Sequence, residues 1–126
     1  MKSYSKKVLI KQLLQHTSGL PDYFADTPKN GATFMEQLFT NNDRFWQPLE
    51  IIEFTKTQLR PHFAPGASYN YCDTEYVLLG LLIEELTGKP YHIFLSDKIF
   101  NPLKMEHSYM HLRSRPVSYT HLRAHE

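Results

Sequence analysis

Apolar side chains recur at helical spacing along most of the chain, and loops rich in proline and glycine separate the periodic segments. This spacing predicts five helices. Their expected ranges are Val8–Gln15, about Phe34–Phe39, Pro48 to about Leu59, Thr74–Thr87, and Tyr91–Phe100. Proline is tolerated in a first helical turn, which favours Pro48 as a start. With two weak strand candidates at most, the pattern predicts a mainly α chain.

The clearest helix is Thr74–Thr87. It is apolar nearly all round from Tyr76 to Ile83, so we expect it to be buried on most sides. Asp73 or Thr74 is the expected N-cap, and Gly88 supplies the stop.

Composition narrows the class of protein. A chain of 126 residues allows one small domain or part of a larger one. Fourteen basic against 13 acidic residues leave a net charge of +1, which argues against binding to nucleic acid. The longest apolar run stops at Glu84, far short of the ~20 residues that a membrane span needs. The single Cys72 excludes an internal disulfide and a multi-cysteine zinc site, and we expect no cofactor and no metal.

Candidate chemistry lies in the loop before the fourth helix. Tyr71 and Asp73 stand directly ahead of it, where a rigid element can hold a polar group at a fixed distance from a substrate. A plainer interpretation is that Asp73 only caps the helix and Tyr71 packs on the core. Spacing alone leaves both open.

Three segments together resemble a known family. They read Leu-Leu-Gln-His-Thr-Ser-Gly-Leu (13–20), Pro-Gly followed by Tyr-Cys-Asp and Tyr-Val-Leu-Leu-Gly (65–80), and Phe-Asn-Pro-Leu-Lys-Met (100–105). Their order and approximate spacing resemble the serine β-lactamase and penicillin-binding-protein-like family, in the branch of class C β-lactamases, D-aminopeptidases and related esterases. The resemblance implies an internal fragment: the helical subdomain of the α/β β-lactamase/transpeptidase-like fold, without the nucleophile helix and most of the antiparallel sheet.

The resemblance also implies site roles. Tyr71 would be the base or proton shuttle for the nucleophilic serine, helped by lysines in the complete site because a phenol is normally protonated at neutral pH. Asp73 would contact substrate where the family most often has Asn. An Asn amide can donate to a substrate carbonyl, whereas an ionised Asp only accepts. This difference favours an esterase or peptidase relative, and a second anion beside Tyr71 disfavours its phenolate. The substrate stays open between a β-lactam, a D-amino-acid peptide and an ester.

The family's Ser-x-x-Lys nucleophile and Lys-Thr-Gly-like strand are not found in place. Ser3 and Lys6 spell the first pattern, but they lie too close to His16 to match the family's spacing. We therefore expect acyl-enzyme hydrolysis of a small-molecule or peptide substrate in the complete protein, and no activity in this chain alone. The rival hypothesis is a non-catalytic helical interaction module. The resemblance suggests export, since the family is largely exported in bacteria, but no signal peptide is evident, so the compartment stays open. The oligomeric state also stays open.

Other candidates are weaker. His16 lies near Ser18, but the sequence offers no acid to complete a triad, so we interpret this turn as structural. We interpret Cys72 as a small loop filler, whose thiol pKa the neighbouring Asp73 raises. Residues 114–126 carry no family motif and resemble translated sequencing-adapter read-through. We therefore divide the chain into a partial β-lactamase-related domain (1–113) and a foreign tail (114–126), a genuine polar tail being the alternative.

Overall fold

A computed structural model of the chain describes residues 5–110. Its regular elements are a 3₁₀ turn at Ser5–Lys7, α1 (Ile10–Leu14), α2 (Phe34–Thr40), α3 (Pro48–Gln58), α4 (Asp73–Thr87), α5 (Tyr91–Leu95) and a π-helical turn at Ser96–Phe100. Residues 5–110 contain no strand, which confirms the predicted mainly helical chain. Ser3 of the Ser-x-x-Lys pattern and the tail 114–126 lie outside the described residues.

The second and third helices begin where the sequence predicts. The Thr33 hydroxyl accepts a hydrogen bond from the Glu36 backbone N–H at 3.2 Å, and the Glu36 carboxylate accepts the Thr33 N–H at 2.7 Å. This reciprocal capping satisfies two backbone donors that the helix leaves unpaired. Pro48 stands in the first turn of α3, and Glu50 accepts the Gln47 N–H at 2.8 Å.

Two helices are shorter than predicted. α1 ends at Leu14, because the Thr17 N–H donates to the Gln12 carbonyl at 2.9 Å and closes a Schellman-type turn. The last predicted helix is α-helical only to Leu95. It continues as the π-helical turn, where the Asn101 N–H donates to the Ser96 carbonyl at 2.8 Å.

The described residues fall into two compact units, which divide between Leu81 and Leu82. In the first, Phe34 is the centre of an aromatic cluster, with ring centroids 4.8 Å from Tyr23, 4.8 Å from Trp46 and 6.1 Å from Phe54. In the second, the Glu84 carboxylate accepts the Tyr91 N–H at 2.9 Å, and Lys89 pairs with Asp97 at 3.1 Å.

The burial expected for α4 is wrong in detail. The buried part of this helix is its polar first turn, where Thr74 and Glu75 are almost fully covered. Tyr76 is 53% exposed, and residues 77–83 are half-buried. Apolar periodicity indicates which side chains favour burial, whereas here hydrogen bonds from a distant loop decide which turn is covered.

The N-cap predicted for α4 is also wrong. The Thr74 hydroxyl donates to the Pro21 carbonyl at 2.7 Å and accepts the Tyr23 N–H at 3.0 Å, so it joins the helix to a preceding loop. Asp73 is the first residue inside the helix, one position past an N-cap. The first turn of the helix is thus held to the preceding loop by the Thr74 hydroxyl.

Between residues 5 and 110, no helix combines the length and the apolar character that crossing a bilayer requires.

Candidate functional site

The first two sequence motifs lie side by side in the structure. Three backbone hydrogen bonds join residues 62–70 to the His-Thr-Ser-Gly turn: His62 N–H to Gly19 O (2.9 Å), Gly66 N–H to Thr17 O (2.8 Å) and Asn70 N–H to His16 O (2.9 Å). Gly19 has φ +77°, and a Cβ there would stand 2.0 Å from the Phe63 carbonyl oxygen. Only glycine permits both that conformation and that approach.

Tyr71 lies on the surface of this joined loop, beside Asp73. The Tyr71 side chain is 60% exposed, and Asp73 is half-buried. The Asp73 charge is the main cause that raises the pKa of Tyr71, followed by partial burial and a hydrogen bond between the two side chains. Tyr71 therefore holds its proton firmly in this environment. The structure thus brings both predicted site residues together.

Beneath the loop, Glu75 is fully buried at 0% exposure. One carboxylate oxygen accepts the Ser18 hydroxyl at 2.5 Å and the Ser18 N–H at 3.4 Å, and the other is hydrogen-bonded to His16 Nδ1. A buried carboxylate needs such partners to offset its desolvation. Sequence reasoning missed Glu75. Its signal was an acid in the first turn of the helix that follows the Tyr71 loop.

This cluster is not a catalytic triad, although it contains a serine, a histidine and an acid. In a triad the histidine accepts the serine proton, and the acid binds the far side of the histidine. Here Ser18 is buried and donates to the carboxylate directly, while its oxygen accepts the Leu20 N–H at 3.1 Å. His16 does have an acid partner in Glu75, which the sequence did not indicate, but no triad forms, and Ser18 stabilises the turn as predicted.

The His16 ring lies among tyrosine rings. Its centroid is 4.5 Å from that of Tyr71 with the planes 40° apart, and 5.4 Å from that of Tyr76 with the planes 32° apart. Tyr69 approaches edge-on at 6.2 Å. The backbone nitrogen of Cys72 is 3.3 Å from His16 Nδ1. The aromatic contacts and the hydrogen bond to Glu75 therefore both fix the position of the imidazole.

Cys72 is 1% exposed, and its Sγ lies 3.4 Å from the Pro21 carbonyl oxygen. Burial raises the pKa of the thiol to about 11 from 9.0, and the Glu75 and Asp22 charges add to this. We expected Asp73 to be the cause, so that attribution is corrected. A small, buried, protonated thiol is consistent with a loop filler.

Negative charge accumulates around Tyr71. The Asp73 and Asp22 charges both raise the pKa of Tyr71, and burial raises the pKa of the Asp22 carboxyl, with Asp73 adding to that rise. In the described part of the chain, the salt bridges of lysine and arginine lie elsewhere, on Glu50 and Asp97. No group of three His, Cys, Asp or Glu side chains within residues 5–110 is arranged to hold a metal.

Comparison with known proteins identifies the family of the chain. The family model described as Beta-lactamase matches residues 2–124. The chain belongs to the beta-lactamase family. The D-aminopeptidase of Brucella anthropi is 36% identical over 101 residues, which are 80% of this chain and 18% of that protein. The N-acetylmuramyl-L-alanine amidase of Bacillus subtilis is 30% identical over 103 residues, or 81% of this chain and 21% of that protein.

Solved structures of the family agree. The D-amino acid amidase of Ochrobactrum anthropi SV3 complexed with D-phenylalanine superposes with a TM-score of 0.69 at 29% identity, over 88% of this chain and 28% of that one. A D-stereospecific amidohydrolase from Streptomyces superposes with a TM-score of 0.70 at 30% identity, over 86% of this chain and 34% of that one. The predicted family is confirmed, and so is the predicted fold class, a helical part of the beta-lactamase-type fold.

The chain spans about a fifth of the length of the curated relatives it matches. Within the beta-lactamase family it therefore corresponds to one portion of these longer relatives. That portion holds the joined motif segments, with Tyr71 on their surface.

Proposed function

We propose that this chain is part of a serine hydrolase in which Tyr71 moves the proton during acyl transfer to the serine and hydrolysis of the acyl-enzyme. The observation that carries the proposal is the exposed Tyr71 hydroxyl, on a loop joined by backbone hydrogen bonds to the His-Thr-Ser-Gly turn. A base or shuttle must meet its partner at hydrogen-bond distance, which a loop held in this way favours.

The protonation state of Tyr71 defines what the rest of the protein must supply. Asp73 raises the pKa of Tyr71, so within this portion the phenol stays neutral at ordinary pH. A neutral phenol can accept the serine proton only while it passes its own to another group. Acting as a phenolate base instead would require nearby positive charge, which the lysine of a family Ser-x-x-Lys would provide in the complete site.

We propose that Asp73 binds substrate by accepting a hydrogen bond from a free amine. The carboxylates of Asp73 and Asp22 both act on Tyr71, and their negative charge favours a cationic group over an anionic one. The names of the D-aminopeptidase and D-amino acid amidase relatives point the same way. Penicillins and cephalosporins carry a carboxylate, which this environment disfavours. The proposed substrate is thus an amide or peptide of a D-amino acid with a free ammonium group.

The test uses the full-length protein that carries this stretch. D-phenylalanine amide should be hydrolysed faster than N-acetyl-D-phenylalanine amide or a chromogenic cephalosporin. Tyr71→Phe should lower kcat by a factor on the order of 10²–10⁴, the usual range for a lost general base. Tyr69→Phe is the matched control, since it removes a hydroxyl from an exposed tyrosine two residues away. Equal losses from both variants would overturn the role of Tyr71.

Asp73→Asn tests the substrate class separately. The neutral amide removes the charge but keeps the shape, so KM for D-phenylalanine amide should rise while KM for its N-acetyl derivative does not. Parallel changes for both substrates would overturn recognition of the amine by Asp73.

We also propose that the 126-residue chain alone is inactive, because Ser3–Lys6 is its one Ser-x-x-Lys sequence and stands too close to His16 for the family spacing. A fluorophosphonate probe should not label the chain above a heat-denatured control. Labelling at Ser3 would refute this.

A further inference from the structure

His16 adopts a backbone conformation that most residues other than glycine avoid. Its φ is +58°, in the left-handed region, and it occupies the position after α1 where glycine is usual in a Schellman turn. Glycine or asparagine would make the same turn with less strain. A strained residue persists only where its surroundings hold it, and such positions cluster at functional sites.

The surroundings that hold His16 are its side-chain partners. The fully buried Glu75 binds His16 Nδ1 with one oxygen and Ser18 with the other. The imidazole lies against Tyr76, whose hydroxyl donates to the Leu14 carbonyl at 3.3 Å. The ring is therefore anchored at its nitrogen and at one side, independently of Tyr71.

The anchored ring packs against Tyr71 with centroids 4.5 Å apart. Tyr71 is 60% exposed, so apart from the Asp73 carboxylate few neighbours restrict its side chain. A rigid surface under the phenol would limit its rotation and keep its hydroxyl directed toward the reacting serine. Orientation of this kind contributes to rate because small displacements of a catalytic group are costly.

We propose that His16 is a positioning residue for Tyr71, and that the buried Glu75 holds the imidazole in place for this purpose. The inference rests on the proposed function, since it assigns His16 a role in the reaction that Tyr71 serves. His16 does not touch substrate. It acts through the ring contact with Tyr71.

The variant His16→Asn isolates that contact in the full-length protein. Asparagine tolerates the left-handed conformation, and its amide nitrogen can donate to Glu75 much as Nδ1 does, so the turn and the buried hydrogen bond are kept while the ring is lost. We expect kcat to fall on the order of 10-fold with KM little changed. If His16 acts only through Tyr71, adding His16→Asn to Tyr71→Phe should cause no further loss.

His62→Asn is the matched control. His62 also pairs with a carboxylate, that of Asp26 at 2.6 Å, but it lies outside the tyrosine cluster defined by the ring contacts of His16. Its substitution should leave kcat unchanged. An unchanged kcat in His16→Asn, or losses that multiply with those of Tyr71→Phe, would overturn the positioning role alone. A Tyr71→Phe variant with full activity would instead overturn the proposed function and the positioning role with it.

A second measurement does not depend on turnover. Nuclear Overhauser contacts should connect the ring protons of His16 and Tyr71 in the wild-type protein. In His16→Asn, the Tyr71 ring signals should move toward those of an exposed tyrosine. Absence of the ring–ring contact in the wild-type protein would overturn the proposal whatever the activity shows.

Discussion

The Cys72 thiol lies 3.4 Å from the Pro21 carbonyl oxygen, is 1% exposed, and has its pKa raised by burial to about 11 from 9.0. Alkylation or disulfide exchange requires the thiolate. The rise in pKa lowers the thiolate population at pH 8 about 100-fold relative to an unperturbed cysteine, and burial obstructs the reagent further. In the native chain, Cys72 should therefore react at least about 100-fold more slowly than an exposed thiol.

The assay follows the rate at which an aromatic disulfide reagent labels the chain at pH 8. The control is the double variant Ser68→Cys, Cys72→Ser, which moves the single thiol to an exposed position of the same loop. In concentrated urea the two proteins should react at similar rates. Native Cys72 reacting as fast as the Ser68→Cys thiol would refute the packing of Cys72 under the joined motif segments.

The same pKa shift predicts how stability depends on alkaline pH. The folded state holds the Cys72 proton more tightly than the unfolded state does, so the stabilisation is fully present below pH 9 and is lost as the pH rises to about 11. The loss amounts to about 3 kcal/mol at most. Cys72→Ser lacks this titration, so its free energy of unfolding should fall less between pH 9 and 11. Parallel pH profiles for the two proteins would contradict the shift.

Three further predictions test other parts of the structure. Asp73→Asn should lower the pKa of Tyr71, since the Asp73 charge is the main cause of its rise; an unchanged tyrosine ultraviolet titration would count against this. Thr74→Val should lower the free energy of unfolding by about 1–3 kcal/mol, because backbone partners of the hydroxyl lose their hydrogen bonds, whereas the exposed Thr57→Val should change it little in urea titrations followed by circular dichroism. A chain ending at Arg113 should unfold at the same urea concentration as the full chain, and a clear loss would show that residues 114–126 contribute to the fold.

The helix ends that could be predicted well are those with a local signal. α2 follows a Thr33–Glu36 capping pair and ends next to Asn41, and α3 begins at Pro48, where proline supports helix initiation. α4 extends to Thr87 immediately before Gly88, which has φ +68°. These signals act within a few residues, so a single sequence contains them completely.

The parts of the site that sequence reasoning missed depend on distant pairing. Glu75 and His16 are 59 residues apart, and Thr74 is 53 residues from Pro21, whose carbonyl accepts its hydroxyl. Helical periodicity gives no information on which distant turn packs against the first turn of a helix. It therefore predicted burial for Tyr76 and a local cap for α4, whereas tertiary hydrogen bonds put Glu75 inside and left Tyr76 exposed.

The motifs that carry the family resemblance form one physical unit in the structure. Between the two segments lies a buried layer of polar side chains: Ser18, Asp22, Thr74 and Glu75. Hydrogen bonds in a buried layer are directional and become costly when any member loses its partner, so they restrict the segments to one relative position more closely than apolar contacts would. A proton shuttle needs that restriction, because its hydroxyl must reach the nucleophile at hydrogen-bond distance. The polar layer is thus suited to support Tyr71 in the role proposed for it.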